Sequence, residues 1–246
     1  MEVHHHSHSD HSGSRKKWTH YFWEFIMLFL AVFCGFLAEN QREHYIEHKR
    51  ANTLAASLIK DMRKDTTQLS WLLQFNRDKA SRVDSFYNLL CEPFDKINSK
   101  TYYRLAKAIQ VTFSFAPSNG TINQLKNAGY LRYFSNDSLP GLLSEYDFFY
   151  KDIEGMDQII TDLVYNKYYD LMIRASDSWL LHIEMTNKEV PDSIGILPIE
   201  AADLKALKGI VIMIRRSYTA YDGTYNDIRK KAVQIIEYLN RSLDLN

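Results

Sequence analysis

The sequence predicts an all-α protein: one N-terminal transmembrane helix that continues into a stalk, then an irregular antiparallel helical bundle. Three observations carry this. From Tyr21 to Ala38 the chain reads YFWEFIMLFLAVFCGFLA, with Glu24 its only charge. Beyond it, residues 39–65 contain neither Gly nor Pro and are dominated by helix formers. Downstream, apolar residues recur near the 3.6-residue period, whereas strand-like alternation is confined to VTFSF at 111–115.

The elements follow in order. Residues 1–17, MEVHHHSHSDHSGSRKK, form a polar, His-rich tail ending in a basic triplet. Residues 18–38 form the membrane helix. At 1.5 Å per residue, a helix from Trp18 spans about 31 Å, matching a bilayer core of roughly 30 Å. Trp18, Tyr21 and Trp23 at its start predict an interfacial aromatic anchor, with Glu24 at headgroup depth. Phe36 at the −3 position before Ala38 disfavours signal-peptide cleavage, and Phe33 before Cys34 disfavours a lipoprotein site, so the anchor is expected to be retained. Residues 39–65 are the stalk and 66–246 the bundle. Within these, Leu54, Leu58, Met62, Leu69 and Leu72 mark one helical face. Helices are expected near 66–90, 99–113, 121–128 (ending at Gly129), 138–175, 204–221 and 228–243. Pro191 and Pro198 bracket a loop.

Composition excludes several classes of function. The chain carries 30 Lys+Arg against 30 Asp+Glu, so no basic phosphate-neutralising surface is expected and nucleic acid is not a partner. The glycines are never clustered, which rules out P-loop and GxGxxG phosphate cradles. Cys34 and Cys91 are too few and too far apart for a zinc ribbon or a disulfide framework.

Three constellations could carry chemistry. His4, His5, His6, His8 and His11 could bind Zn²⁺, Ni²⁺ or Cu²⁺ weakly, though a solvated tail is the simpler reading. His44-Tyr45-Ile46-Glu47-His48 matches H-x-x-E-H, in which two imidazoles one turn apart chelate zinc and the Glu acts as general base. Its place beside the membrane exit, where a walled pocket is hard to build, favours a solvated stalk face. Glu24 could carry ions in an ion-motive complex, but it can also pair with Lys17 or His20 one or two turns away. Of the many aromatics, Tyr133, Tyr146 and Tyr150 could line a groove, although aromatic stripes at helical spacing are usually core. Asn119-Gly120-Thr121 fits a glycosylation sequon but reads better as a turn.

Four segments, MEVHHHSH, EFIMLFLAVFCGFLAENQREHYIEHKR, TINQLKNAGYLRYFSN and LLSEYDFFY, together resemble an uncharacterised (domain-of-unknown-function) family of bacterial single-span inner-membrane proteins with an MEVHHH-type start. Ala128-Gly129 departs mildly from that pattern, which commonly has a small polar residue before the glycine. The resemblance implies an inner-membrane anchor with a helical domain, and it carries over no catalytic residue.

The sequence therefore favours a membrane-anchored helical interaction module (scaffold, sensor or regulatory partner) over an enzyme, with no required cofactor. Its expected partners are the lipid bilayer and a membrane protein or further copies of itself. The alternatives are a zinc-dependent hydrolase built on 44–48 and an accessory subunit of an ion-motive complex using Glu24. The contiguous Arg15-Lys16-Lys17 beside the span predicts a cytoplasmic N-terminus and a periplasmic C-terminal domain.

Overall fold

The computed structural model describes residues 14–134, 138–175, 196 and 199–244. Every regular element among them is helical and no strand occurs. The helices are α1 (Ser14–Leu89), α2 (Ser99–Gln110), α3 (Gly120–Asn127), α4 (Ser138–Thr161), a π-helical segment (Asp162–Tyr168), α5 (Tyr169–Ala175) and α6 (Ala201–Asp244), with short 3₁₀ turns at Phe94–Lys96 and Tyr130–Tyr133. The chain divides into two units, 1–52 and 53–246.

The first unit is the N-terminal part of α1. It contains an 18-residue window of mean hydropathy 2.0, none of it buried, and is long and apolar enough to cross a membrane. Trp18, Tyr21 and Trp23 are exposed at its start, as is Glu24. At 100° per residue, Trp18, Phe22, Phe25, Phe29, Phe33 and Phe36 share an arc of roughly 80°. Phe25 stacks on Phe29 at 6.4 Å, and Phe29 on Phe33 at 5.8 Å. The opposite face carries Glu24, Met27, Ala31, Cys34, Gly35 and Ala38, so bulk is segregated to one side.

The second unit is an up-down-up-down bundle, and its register is fixed by pairs far apart in sequence. Asp65 meets Tyr146 and Phe86 meets Tyr168, so α1 and the α4–π–α5 arm run parallel. Arg215 bonds Asp84 at 2.9 Å, while Tyr221 bonds Asp157 and Arg174 pairs with Asp203, so α6 runs antiparallel to both. Between them α2, residues 111–119 and α3 descend along α1, through Tyr102 on Phe86, Phe113 on Trp71 and Ser118 on Asp65. The core is the inward stripe of each helix: Leu58, Met62, Leu69, Leu72 and Phe86 of α1 face Tyr102, Tyr146, Ile153, Tyr168, Val211 and Tyr225. Leu58 and Met62, on the face of α1 that also carries Leu69 and Leu72, are fully buried in the second unit, which begins at Thr53.

Local chemistry sets the ends. Asn98 caps α2 by accepting the Thr101 N–H at 2.9 Å. Gly129 ends α3 with φ 67°, the left-handed conformation that glycine adopts without a Cβ penalty. In the π segment Asp162 receives both Asn166 and Lys167, the latter at 2.9 Å and five residues on, matching the wider turn.

Two expectations are corrected. Residues 66–90 are not a separate helix but the end of α1, and 204–221 and 228–243 are one helix, α6, running through Gly223. Gly223 is exposed, and an added Cβ would meet nothing within 4 Å. In a fragment covering residues 50–246, Gly223→Ala is therefore expected to raise unfolding stability by about 1 kcal/mol. A chemical denaturation curve shifted the other way would show that the glycine is needed where it stands.

Candidate functional site

Residues 111–119, which include the strand-like VTFSF at 111–115, are non-helical but pair with no strand among the described residues. Their extended form follows from two anchors on α1. Lys79, 3% exposed, donates its ammonium to the Ala108 and Val111 carbonyls at the C-terminal end of α2, the latter at 2.5 Å. Asp65, fully buried, accepts the Ser118 N–H on both oxygens (3.1 and 3.2 Å) and the Tyr146 hydroxyl at 2.6 Å. One turn earlier, Asp61 accepts the Thr121 hydroxyl at 2.5 Å. A cation thus meets the negative pole of α2, and two acids meet the positive pole of α3.

The anchors also set the spacing. Lys79 and Asp65 are fourteen positions apart, about 21 Å along α1. Val111 to Ser118 covers about 23 Å if extended but only about 10 Å if helical. The segment must extend to reach both.

Its remaining side chains divide between core and surface. Phe115 is buried, edge-on to Tyr150 at 6.3 Å. Ser114 lies beside Asp157, which accepts the Tyr221 hydroxyl at 2.6 Å. Burial raises the Asp157 carboxyl above the usual carboxylate range, against the lowering effect of those two hydroxyls. Burial likewise raises Tyr146 and Tyr221, each further raised by the acid it faces. Outward, Phe113 is 50% exposed and packs edge-on against Trp71 (5.2 Å, itself 51% exposed) and Phe75 (5.0 Å). This gives an aromatic platform on the bundle surface.

A second feature lies where α3 meets the Gly129 turn. A shallow groove of about 500 Å³ is lined by Leu54, Asn123, Gln124, Asn127, Ala128 and Tyr130. Among the described residues no charged side chain lines it. Lys126 on the same helix is paired with Asp147, and the Arg132 guanidinium sits over the Tyr133 ring at 4.9 Å.

The residues singled out from sequence fall as follows. His44 and His48 are exposed one turn apart on α1, with Glu47 half-buried between them in sequence. Among the described residues, no group of three or more His, Cys, Asp or Glu side chains is arranged to hold a metal ion. His4, His5, His6, His8 and His11 lie outside the described residues, as do Pro191 and Pro198. Tyr146 is core rather than groove, Tyr150 packs on Phe115, and Tyr133 stands against Tyr130 and Arg132, so the three do not share a surface. Sequence reading missed Asp61, Asp65 and Lys79. The available signal was a set of charges on the apolar face of α1, where Lys79 lies about two turns from Leu72.

Fold and site together define an all-α protein with one helix long and apolar enough to cross a membrane and a helical bundle that carries an exposed aromatic cluster and a shallow, carboxamide-lined groove. Comparison with protein-family models, curated proteins and solved structures finds no match to this chain.

Proposed function

We propose that the protein is a membrane-anchored interaction module, a scaffold, sensor or regulatory partner held at a bacterial inner membrane. The observation that carries this reading is α1 itself: one unbroken helix supplies both the exposed apolar stretch and the buried face of the bundle. The Trp71–Phe75–Phe113 platform gives the bundle an outward surface of the type that partners bury. Within the span, the face bearing Ala31, Gly35 and Ala38 lets another helix approach closely, whereas the Phe face suits lipid. A membrane protein or a second copy of this chain is the expected partner. The exposed placement of His44 and His48, with no three-residue metal-holding group among the described residues, gives no support to hydrolysis.

Affinity purification from membranes with quantitative mass spectrometry tests this. A membrane protein, or an untagged copy of this chain, is expected to co-purify with the tagged protein. Gly35→Leu should deplete it about tenfold, while Phe29→Leu on the opposite face leaves it in place. If nothing is enriched over an unrelated single-span control, the reading fails. The topology proposed from Arg15–Lys17 places the bundle in the periplasm. Alkaline phosphatase fused after Asn246 is then expected to be active, and a fluorescent fusion that glows would reverse the orientation.

A further inference from the structure

We propose that the groove beside α3 is a binding site for an N-acetylhexosamine unit of an uncharged glycan. Three observations on its lining support this. First, Asn123, Gln124 and Asn127 form no side-chain hydrogen bond with any described residue, so three carboxamides stand ready at one surface. Each offers two N–H donors and one carbonyl acceptor. A carboxamide therefore matches an acetamido group reciprocally, N–H to C=O in both directions, and matches sugar hydroxyls, which both give and take. Second, the amides share the groove with apolar groups. Leu54 and Ala128 offer aliphatic surface to an acetyl methyl, and half-buried Tyr130 offers a ring to the C–H face of a pyranose and a hydroxyl as a hydrogen-bond partner. Third, no charged side chain lines the groove among the described residues. Of the cations near it in sequence, Lys126 pairs with Asp147 and Arg132 lies on Tyr133, so the described lining favours an uncharged ligand over a phosphate, a carboxylate or an amine.

Size agrees with this assignment. About 500 Å³ falls within the range of small-ligand sites, roughly 300–1,000 Å³, and the groove's open form suits one or two units of a longer chain rather than an enclosed metabolite. An extended peptide would present the same amides, and the experiment separates the two.

The test uses the full chain in a detergent without a sugar headgroup, and saturation-transfer NMR with titration calorimetry. The probes are tri-N-acetylchitotriose, cellotriose (the same backbone without acetamido groups) and an N-acetylated, C-amidated tripeptide of alanine. Chitotriose is expected to bind at millimolar strength or better, with saturation strongest on the acetyl methyl, and cellotriose at least about tenfold more weakly. Asn127→Ala and Gln124→Ala should each weaken chitotriose about tenfold, the loss of roughly one well-made hydrogen-bonded contact, and Tyr130→Ala should abolish binding. Asn123, Gln124 and Asn127 are exposed, so these variants are expected to melt as the parent does. If Tyr130→Ala alone is destabilised, the carboxamide variants carry the test. Absence of saturation transfer at millimolar chitotriose overturns the proposal. So do equal binding of cellotriose, tighter binding of the tripeptide, or parent-like affinity in both Gln124→Ala and Asn127→Ala. These outcomes are independent of whether a membrane partner co-purifies, because the glycan assay contains this chain alone.

Discussion

Asp65→Ala is expected to destabilise the bundle by about 3–5 kcal/mol, the largest effect of any single polar substitution considered in it. The carboxyl is fully buried and accepts from the Ser118 N–H and the Tyr146 hydroxyl. Its removal strands both donors in the core, at about 1–3 kcal/mol each, and takes an acid from the positive end of α3. Asn is an incomplete replacement, since its amide would turn an N–H toward one of two donors, and it should fall between parent and Ala. Tyr146→Phe removes one donor without leaving another unpaired and should cost about 1–2 kcal/mol. Because the two side chains share a bond, the double variant is expected to lose less than the sum of the singles by about 1 kcal/mol. Urea denaturation of the 50–246 fragment followed by circular dichroism reads all four. A change below 1 kcal/mol for Asp65→Ala would mean that the anchor does not hold.

Stability should also rise with pH from about 7 to about 10, with Lys79 as the cause. Burial, reinforced by the nearby Arg82 charge, pulls the Lys79 ammonium down to about 7. In the unfolded chain it titrates near 10.4. Between those values the unfolded state holds one proton more than the folded state, so each pH unit adds up to about 1.4 kcal/mol of stability. The gain from pH 7.5 to 9.5 is therefore about 2–3 kcal/mol. Below 7 both states carry the charge and this contribution is flat. A neutral amine still has two N–H groups for the Ala108 and Val111 carbonyls, so the contact survives deprotonation. Above 10 the sign reverses. Tyr146, Tyr218, Tyr221 and Tyr225 are all raised by burial, so the unfolded chain then loses protons that the folded one keeps. Lys79→Met removes the ammonium and should flatten the profile between 7 and 9.5. A parent profile already flat there would sink the account.

Much of this architecture was legible because it rests on local periodicity. Leu58, Met62, Leu69 and Leu72 announce the face of α1, and Gly129 the end of α3, since each signal lies within a turn or two of its effect. Helix junctions were less legible. Separate helices were expected at 204–221 and 228–243, but Gly223 between them sits on an exposed surface where α6 tolerates it, the packing of Tyr221 and Tyr225 on either side outweighing a cost of about 1 kcal/mol. VTFSF has strand composition yet no strand partner. Its extended form is imposed by anchors at Lys79 and Asp65, more than thirty and fifty residues away. The carboxamide groove was not legible, because Asn123, Gln124 and Asn127 on an exposed helix face look like ordinary solvated residues until Leu54 is brought beside them.

The antiparallel pairing of α1 with α6 also sets the timing of synthesis. Asp84 waits for Arg215, 131 residues later, and the buried face of α1 has no complete covering until α6 has been made. At about 5–20 residues per second, the roughly 150 residues after Leu89 take on the order of 10–30 s. During that interval the apolar stripe of Leu58, Leu69, Leu72 and Phe86 is uncovered while the start of the same helix is already long enough to enter a bilayer. A ribosome stalled before residue 201 therefore displays a tethered, sticky half-bundle, and the nascent chain is most open to chaperones and proteases in that window.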